Sequence, residues 1–346
     1  MSRAAILPTP GDPFLFNYWI NNFNKYWRDE VDNLYIYINS PIEKEAMEYM
    51  LSKCVNDSKI TIFCKHKQIE HGEAIRYLLE DCEQDLVVLV EDDSFVFKKG
   101  KIDECFRRIE MGEADAVGGK RGSCSMEVWE RARDVFGLDY SGFGDQGPNF
   151  WPCYFFIKKE TLLNTDRNFG AKNWKRGEII ESLNNYKVRD ENCANDTFVN
   201  TSLQLRKMGL RFHYEPQYHG SPNDLSDYAQ RVNLWDGQAA WTHVGSLSSG
   251  IGGVLMDDFG RSLARRKIDE PVSGTIIPNY CNTDAERLEW ERRIQWWLTF
   301  YENSEPEELR ELREEYRKAI MRVIDRYKLS FDNIKRRQMI YSELGL

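Results

Sequence analysis

Two hydrophobic rhythms alternate along the first two-thirds of the chain. "AAILPT" (4–9), "NLYIYINS" (33–40), "KITIFCKH" (59–66), "DLVVLVED" (85–92) and "ADAVGG" (114–119) are short apolar runs, which predicts five strands. Between them, "PFLFNYWINNFNKYWRDEV", "EKEAMEYMLSKCV", "GEAIRYLLEDC" and "GKIDECFRRIEMG" repeat apolar residues at helical spacing. Strand and helix in turn predict an α/β protein built on a doubly wound, mostly parallel sheet. In such sheets ligands bind outside the carboxyl ends of the strands, which gathers the loops Thr9–Pro10, Asn39–Ser40, Lys65–Gly72 and Glu91–Ser94 around one cleft.

The pattern changes from about Ser123. A glycine- and aromatic-rich stretch, "YSGFGDQGPNFWPCYFFIKKETLL", is followed by a polar loop and then "CANDTFVNTSLQLRKMGLRFHYEPQYHG". The last piece predicts a helix with Phe198, Leu203, Leu205 and Met208 on one side, a stop at Gly209 and a strand. Beyond about Asp284 the chain reads as charged helix, with Trp290, Ile294, Trp297 and Leu298 at core-facing spacing. Thirteen acids and thirteen bases between Glu286 and Leu346 make this a salt-bridged helical extension rather than a basic arm. The expected division is a domain over 1–260, with halves 1–122 and 123–260, and a helical extension over 261–346.

Composition narrows the classes. The 346 residues, 41% hydrophobic, suffice for a large core, and a formal charge of -9 argues against general affinity for polyanions. Eight scattered cysteines show no C-x-x-C pair and no zinc-ligand spacing. The amino-terminal "MSRAAILPTPGDPF" is too short in apolar residues for a signal peptide, and no run reaches membrane-spanning length, so a cytoplasmic protein without a membrane partner is expected. The sequons at Asn56, Asn195 and Asn200 are then chance matches. "PTPGDP" and "GIGG" fit neither a dinucleotide fingerprint nor a P-loop.

The chemistry concentrates at "LVEDDSFVF". Glu91, Asp92 and Asp93 follow directly on a buried aliphatic run. Carboxylates crowded there raise one another's pKa unless a positive charge sits among them, and a divalent cation is the natural one. Hard oxygen ligands suit Mn²⁺ or Mg²⁺. A plain acidic turn is the alternative.

Three pieces in order resemble GT-A glycosyltransferases, family 2-like, over residues 4 to about 250. "LVEDDSFVF" is similar to their D-x-D element, "NDTFVNTSLQLRKMGLRFHYEP" to the element that carries the acceptor-side base, and "AWTHVGSLSSG" to their H-x-G-x-S loop. The overall resemblance is to cytosolic viral and bacteriophage-type members. It implies a GT-A, Rossmann-like fold and metal-dependent, inverting transfer of a sugar from a nucleoside-diphosphate sugar, a UDP-sugar first, to a hydroxyl acceptor. Asp93 would ligate the metal, with Glu91 standing where the family's first Asp contacts ribose or a metal-bound water, and Asp92 supporting the turn. Mn²⁺ is favoured if an imidazole completes the shell; His243, in a loop of small residues, is preferred to His219. That choice makes 220–240 an insertion that hangs Asp227, Tyr228 and Trp235 over the cleft.

By the same resemblance Asp196 would be the catalytic base, with Asn195 in the place of the family's Glu. Read locally, "NDT" is also a helix N-cap. Thr9, Pro10, Asn39, His71, Gly72 and Arg76 fall where the family holds the nucleotide, although Arg76 reads equally well as a surface charge. Trp151, Trp235, Trp241 and Asn195 are the acceptor-side candidates, with core packing the other reading of Trp151. Two acceptors stay open: a glycan or other small hydroxyl compound, and hydroxymethylated pyrimidine in DNA, with protein third. DNA would use Trp151, Trp174, Trp235 and Trp241 to stack on an extruded base, and Lys172, Lys175 and Arg176, with the Arg265–Lys267 run, as a phosphate-binding strip. The rival classes are a nucleotidyltransferase, whose Gly-rich basic first loop is missing from "LPTPGDP", and a sugar-nucleotide-binding protein without activity. Oligomeric state is not legible.

Overall fold

Seven strands form the central sheet of the computed structural model, in the order β12-β6-β7-β4-β1-β2-β3. They are β1 (Arg3–Thr9), β2 (Asn33–Ile38), β3 (Ile60–Cys64), β4 (Leu86–Leu89), β6 (Ala116–Gly118), β7 (Phe155–Lys158) and β12 (Phe212–Tyr214). The structure describes residues 1–9, 13–39, 48, 50–54, 56–64, 69–92, 94–96, 98–119, 124–138, 150, 152–193, 195–215, 232–235 and 238–243. Apart from His243 these lie in one compact unit, Met1–Tyr218 with Val232–Thr242. The expected helical extension at 261–346 lies outside the described residues.

The expected doubly wound, mostly parallel α/β sheet is observed. All pairings are parallel except those of β7, which runs antiparallel to both β4 and β6. Side chains alternate between the two faces, as the period of a strand requires. Ala5, Leu7, Leu34, Ile36, Val88, Val117 and Phe156 enter one core; Ala4, Ile6, Tyr35, Tyr37, Val87, Ala116 and Phe155 enter the other. The first core is covered by α1 (Pro13–Tyr26), through Phe16, Trp19, Ile20 and Phe23, and by α3 (Lys101–Glu110), through Ile102, Cys105, Phe106 and Ile109. The second is covered by α2 (His71–Asp81), α5 (Lys159–Leu163) and α6 (Val199–Lys207). Among the described residues, no helix is long and apolar enough to cross a membrane.

A third, smaller core belongs to the segment after β6. There α4 (Met126–Phe136) packs through Val128 and Ala132 on Trp174, Ile180, Leu183, Val188, Cys193, Val199 and Leu203. Two short antiparallel ribbons frame it: β8 (Trp174–Lys175) with β11 (Asn192–Cys193), and β9 (Ile179–Ile180) with β10 (Tyr186–Lys187). These ribbons show no clear period, because two-residue strands are too short to carry one, whereas α4 does repeat apolar residues at helical spacing, at Val128, Ala132 and Phe136, although no helix was expected there. β7 was hidden for a different reason: buried on both faces, "FFIK" offers no alternation and sits in a run of aromatics.

Two aromatic expectations are corrected. The span 220–240 expected as an insertion includes β13 (Val232–Trp235), which with β14 (Gln238–His243) forms a hairpin that joins β5 (Ser94–Val96) in a three-stranded sheet, order β13-β14-β5, while Asp227 and Tyr228 lie outside the described residues. Trp241 is therefore not a loop aromatic offered to an acceptor or an extruded base: its indole is 2% exposed, against the Tyr154 and Phe156 rings and 5.6 Å from the Lys101 ammonium. Trp174 is likewise buried, in the third core.

Candidate active site

The acidic turn sits at the carboxyl edge of the sheet, where the strand order puts it. Leu86, Val87, Val88, Leu89 and Val90 are fully buried, and β4 ends against β1. Asp92 is 3% exposed and accepts a hydrogen bond from the Thr9 hydroxyl, Oγ1 to Oδ2 2.7 Å, so the last residue of β1 is tied to the turn that follows β4. The Glu91 carbonyl accepts from both the backbone N–H and the hydroxyl of Ser94, at 3.2 and 2.5 Å, which closes the turn into β5. Glu91 is half-buried; Asp93 lies outside the described residues. A buried strand end followed by carboxylate oxygens suits a hard divalent cation, and one oxygen of Asp92 is held by Thr9.

Two other groups of potential ligands occur among the described residues, and the protein fills both with its own donors. Glu104, Cys105 and Glu215 surround the Lys101 ammonium, which is 2.7 Å from Glu104 and 2.6 Å from Glu215. Burial presses the Lys101 ammonium toward neutrality, but Cys105 and the two carboxylates outweigh it and its pKa is raised. Lys101 thus stands where a metal would. Glu127, Asp190 and Cys193 form the second group. Its Glu127 carboxylate accepts from the backbone N–H groups of Arg189 (2.6 Å) and Asp190 (2.8 Å), the Tyr186 hydroxyl (2.8 Å) and the Cys193 thiol (3.1 Å).

Burial alone would raise the Glu127 carboxyl, yet these donors, Asp190 and Arg189 foremost, hold its pKa down to about 2. A carboxyl depressed below its unfolded value of about 4.3 contributes stability that is present above that pH and is lost as pH falls toward 2. Glu127→Gln should therefore be less stable than the wild type by about 1–3 kcal/mol at pH 7. The gap should narrow between about pH 4.3 and pH 2. Denaturant unfolding of both proteins across that range checks it; a gap that stays constant would mean that the carboxylate charge is not what the four donors recognise.

The nucleotide-side candidates divide. Asn39 is buried, but its amide is engaged with the backbone of Ile69: Nδ2 donates to the carbonyl at 2.9 Å and Oδ1 accepts from the N–H at 2.8 Å. It shapes the approach to α2 while its own N–H bonds the Thr9 carbonyl at 2.7 Å. His71 opens α2, with Glu70 as N-cap accepting from the Glu73 N–H. Gly72 is a close approach: a Cβ there would lie 2.0 Å from the Gly170 nitrogen. Arg76 is exposed and paired with Glu73 at 3.6 Å, which fits the surface-charge reading. Pro10, Trp151 and His219 lie outside the described residues, and of Trp235 and His243 only the backbone, in β13 and at the end of β14, is described.

The contact of Gly72 with Gly170 brings the segment of Asp196 to the first turn of α2. Phe169 accepts from the Phe198 N–H at 3.1 Å, and Ala171 bridges Thr197. Asp196 is not the helix cap that "NDT" suggests, because α6 begins three residues later. Its Oδ1 accepts from the neighbouring Thr197 N–H at 2.8 Å, and Phe198, at φ +72°, takes the capping position. A buried aromatic in the left-handed region is costly and persists only where packing dictates it; here Phe155 and Phe169 hold the ring. Asn195 is 4% exposed and spends its amide on the protein. Sequence reasoning missed Ser125 and Glu127, whose only signal was the N-cap spacing of "SMEVW".

The basic strip is also corrected. Lys172, Lys175 and Arg176 precede Glu178 in the chain, and Arg176 pairs with Glu191 at 3.9 Å, so the expected strip carries an acid beside it; Arg265–Lys267 lie outside the described residues.

The class of fold is thus an α/β protein with a mostly parallel sheet and an acidic turn at its carboxyl edge. No family model matches the sequence, and no curated protein does. Among solved structures, S. aureus TarS 1–349 is similar at 11% identity, covering 94% of this chain and 89% of that one, with a TM-score of 0.40. The same protein in complex with UDP-GlcNAc aligns at 15% identity and a TM-score of 0.36 over 49% of this chain, which spans about half (48%) of that one. Glucosyl-3-phosphoglycerate synthase from Mycobacterium tuberculosis, in complex with Mn²⁺, UDP-glucose and glycerol 3-phosphate, aligns at 14% identity over 46% of this chain and 58% of that one, with a TM-score of 0.33. At these values the functional reading rests on the site's own residues.

Proposed function

We propose that this chain is a metal-dependent glycosyltransferase that moves a sugar from a nucleoside-diphosphate sugar, a UDP-sugar first, to a hydroxyl acceptor with inversion. The observation that carries the reading is the Thr9–Asp92 bond, which ties the turn after β4 to the end of β1 at the carboxyl edge of a mostly parallel sheet, where the sequence sets Glu91, Asp92 and Asp93 side by side. Asp93 and Glu91 would hold Mn²⁺ or Mg²⁺. When bound, such an ion supplies positive charge against the diphosphate leaving group.

The remaining chemistry belongs to Asp196. As the acceptor oxygen forms its bond to the anomeric carbon, the bond from that carbon to the diphosphate oxygen breaks, the electron pair leaves with the nucleoside diphosphate, and the acceptor proton passes to the Asp196 carboxylate. Residues 1–122 would carry the nucleotide side and 123–260 the acceptor side.

For the acceptor we favour a saccharide or similar uncharged hydroxyl compound over DNA. Two supports of a DNA acceptor have weakened: Trp174 and Trp241 are buried, and Arg176 of the basic run is paired with Glu191. The test is incubation of the full chain with Mn²⁺ and a set of UDP-sugars against a panel of mono- and oligosaccharides, hydroxymethylcytosine DNA, hydroxymethyluracil DNA and unmodified DNA, read by mass spectrometry. A one-sugar mass increment on a saccharide is expected. An increment confined to modified DNA would overturn the acceptor assignment, and none on any compound would count against the enzyme reading.

A further inference from the structure

We propose that Asn195 and Glu127 are positioning residues that hold Asp196 through the first turn of α4, an inference that rests on Asp196 being the base. The resemblance would have Asn195 touch the acceptor, but the geometry gives its side chain other work. Its Oδ1 accepts from the Ser125 N–H at 3.1 Å, and its Nδ2 donates to the carbonyls of Cys193 at 2.7 Å and Lys172 at 3.1 Å. The amide oxygen is thus held by the N-cap residue of α4, and the amide N–H groups by β11 and by the chain just before β8. Ser125 is itself the N-cap of α4, its hydroxyl accepting from the Val128 N–H.

Two residues into the same turn, Glu127 reaches the chain just upstream, binding the N–H groups of Arg189 and Asp190 and the Cys193 thiol. The first turn of α4 therefore grips residues 189–195 at both ends. On the far side of Asp196, the Ala171–Thr197 bridge and the bond from the Phe198 N–H to the Phe169 carbonyl fix the chain again. Asp196 is suspended between two anchored points, and neither Asn195 nor Glu127 needs to meet a substrate to affect it. A base displaced by about 1 Å loses on the order of 10²-fold in rate, so the clamp should be read out in turnover rather than in binding.

The test uses water as the acceptor, so that no acceptor identity is assumed. UDP release by the full chain with Mn²⁺ is measured on whichever of UDP-glucose, UDP-galactose and UDP-N-acetylglucosamine is hydrolysed fastest, for Asn195→Ala, Glu127→Gln, Asp196→Asn and the two double variants. Asn195→Ala should lower kcat by about 10- to 100-fold, with the donor KM changed less than about twofold. Glu127→Gln, which keeps the side-chain volume, should act in the same direction more weakly and remain informative if Asn195→Ala folds poorly. In the Asp196→Asn background neither change should cost more than about twofold, because a positioning residue has nothing left to position. Equal losses in both backgrounds, a rise in donor KM in place of the fall in kcat, or no fall in kcat would overturn the inference while leaving the base. A fully active Asp196→Asn variant would remove the base reading and this inference together.

Discussion

Asp93→Ala and treatment with EDTA are each expected to reduce sugar transfer by at least about 10³-fold, and Mn²⁺ should restore the chelated enzyme but not the variant. The magnitude follows from the charge that must be neutralised: a departing diphosphate in a closed cleft, unaided, faces a barrier several kcal/mol higher, and each 1.36 kcal/mol is tenfold in rate. The turn is anchored by the protein itself: β4 is buried along its length, Asp92 accepts a hydrogen bond from Thr9, and the Glu91 carbonyl accepts from Ser94. The variant should therefore retain its circular dichroism spectrum and melting temperature. Full turnover in chelator, or a variant that loses activity only because it unfolds, would remove the metal from the account.

Asp196→Asn is the second large effect. Transfer should fall by about 10²- to 10⁴-fold, the usual contribution of a positioned base, while the donor KM changes little because the carboxylate acts on the acceptor. The substitution is nearly isosteric, and its Oδ1 can still accept the Thr197 N–H that Asp196 accepts now, so the backbone between Asn195 and Phe198 has no reason to move. A variant that transfers normally would leave Asp196 as a turn residue only.

Strands β1, β2, β3, β4 and β6 and helices α1, α2 and α3 were legible because the strands are short, mostly apolar runs and the helices carry a 3.6 period, both local signals; β5, three residues long, was not, and the helix expected over "EKEAMEYMLSKCV" lies in part outside the described residues. The acidic turn was legible for the same reason: charge directly after "LVVLV" is a contrast within a few residues. What was not legible depends on residues far apart. Asn195 reads as polar and available, yet its three bonds come from Ser125, Lys172 and Cys193, and nothing near position 195 announces them. Asn39 looked like a ribose contact and proved to mimic a backbone partner for Ile69. Trp241 read as loop because its strand pairs with β5 on the far side of the sequence, and its burial depends on Tyr154, Phe156 and Lys101 together.

The most direct measurement of the central claim needs neither variant nor acceptor. The full chain with Mn²⁺ is supplied in parallel with UDP-sugars and with nucleoside triphosphates paired with sugar phosphates, and both nucleoside diphosphate and pyrophosphate are followed. A glycosyltransferase releases UDP from at least one UDP-sugar, in a reaction stopped by EDTA, and gives no pyrophosphate from the triphosphates. Pyrophosphate release without UDP release would mean that the acidic turn serves nucleotidyl transfer, and would contradict the account.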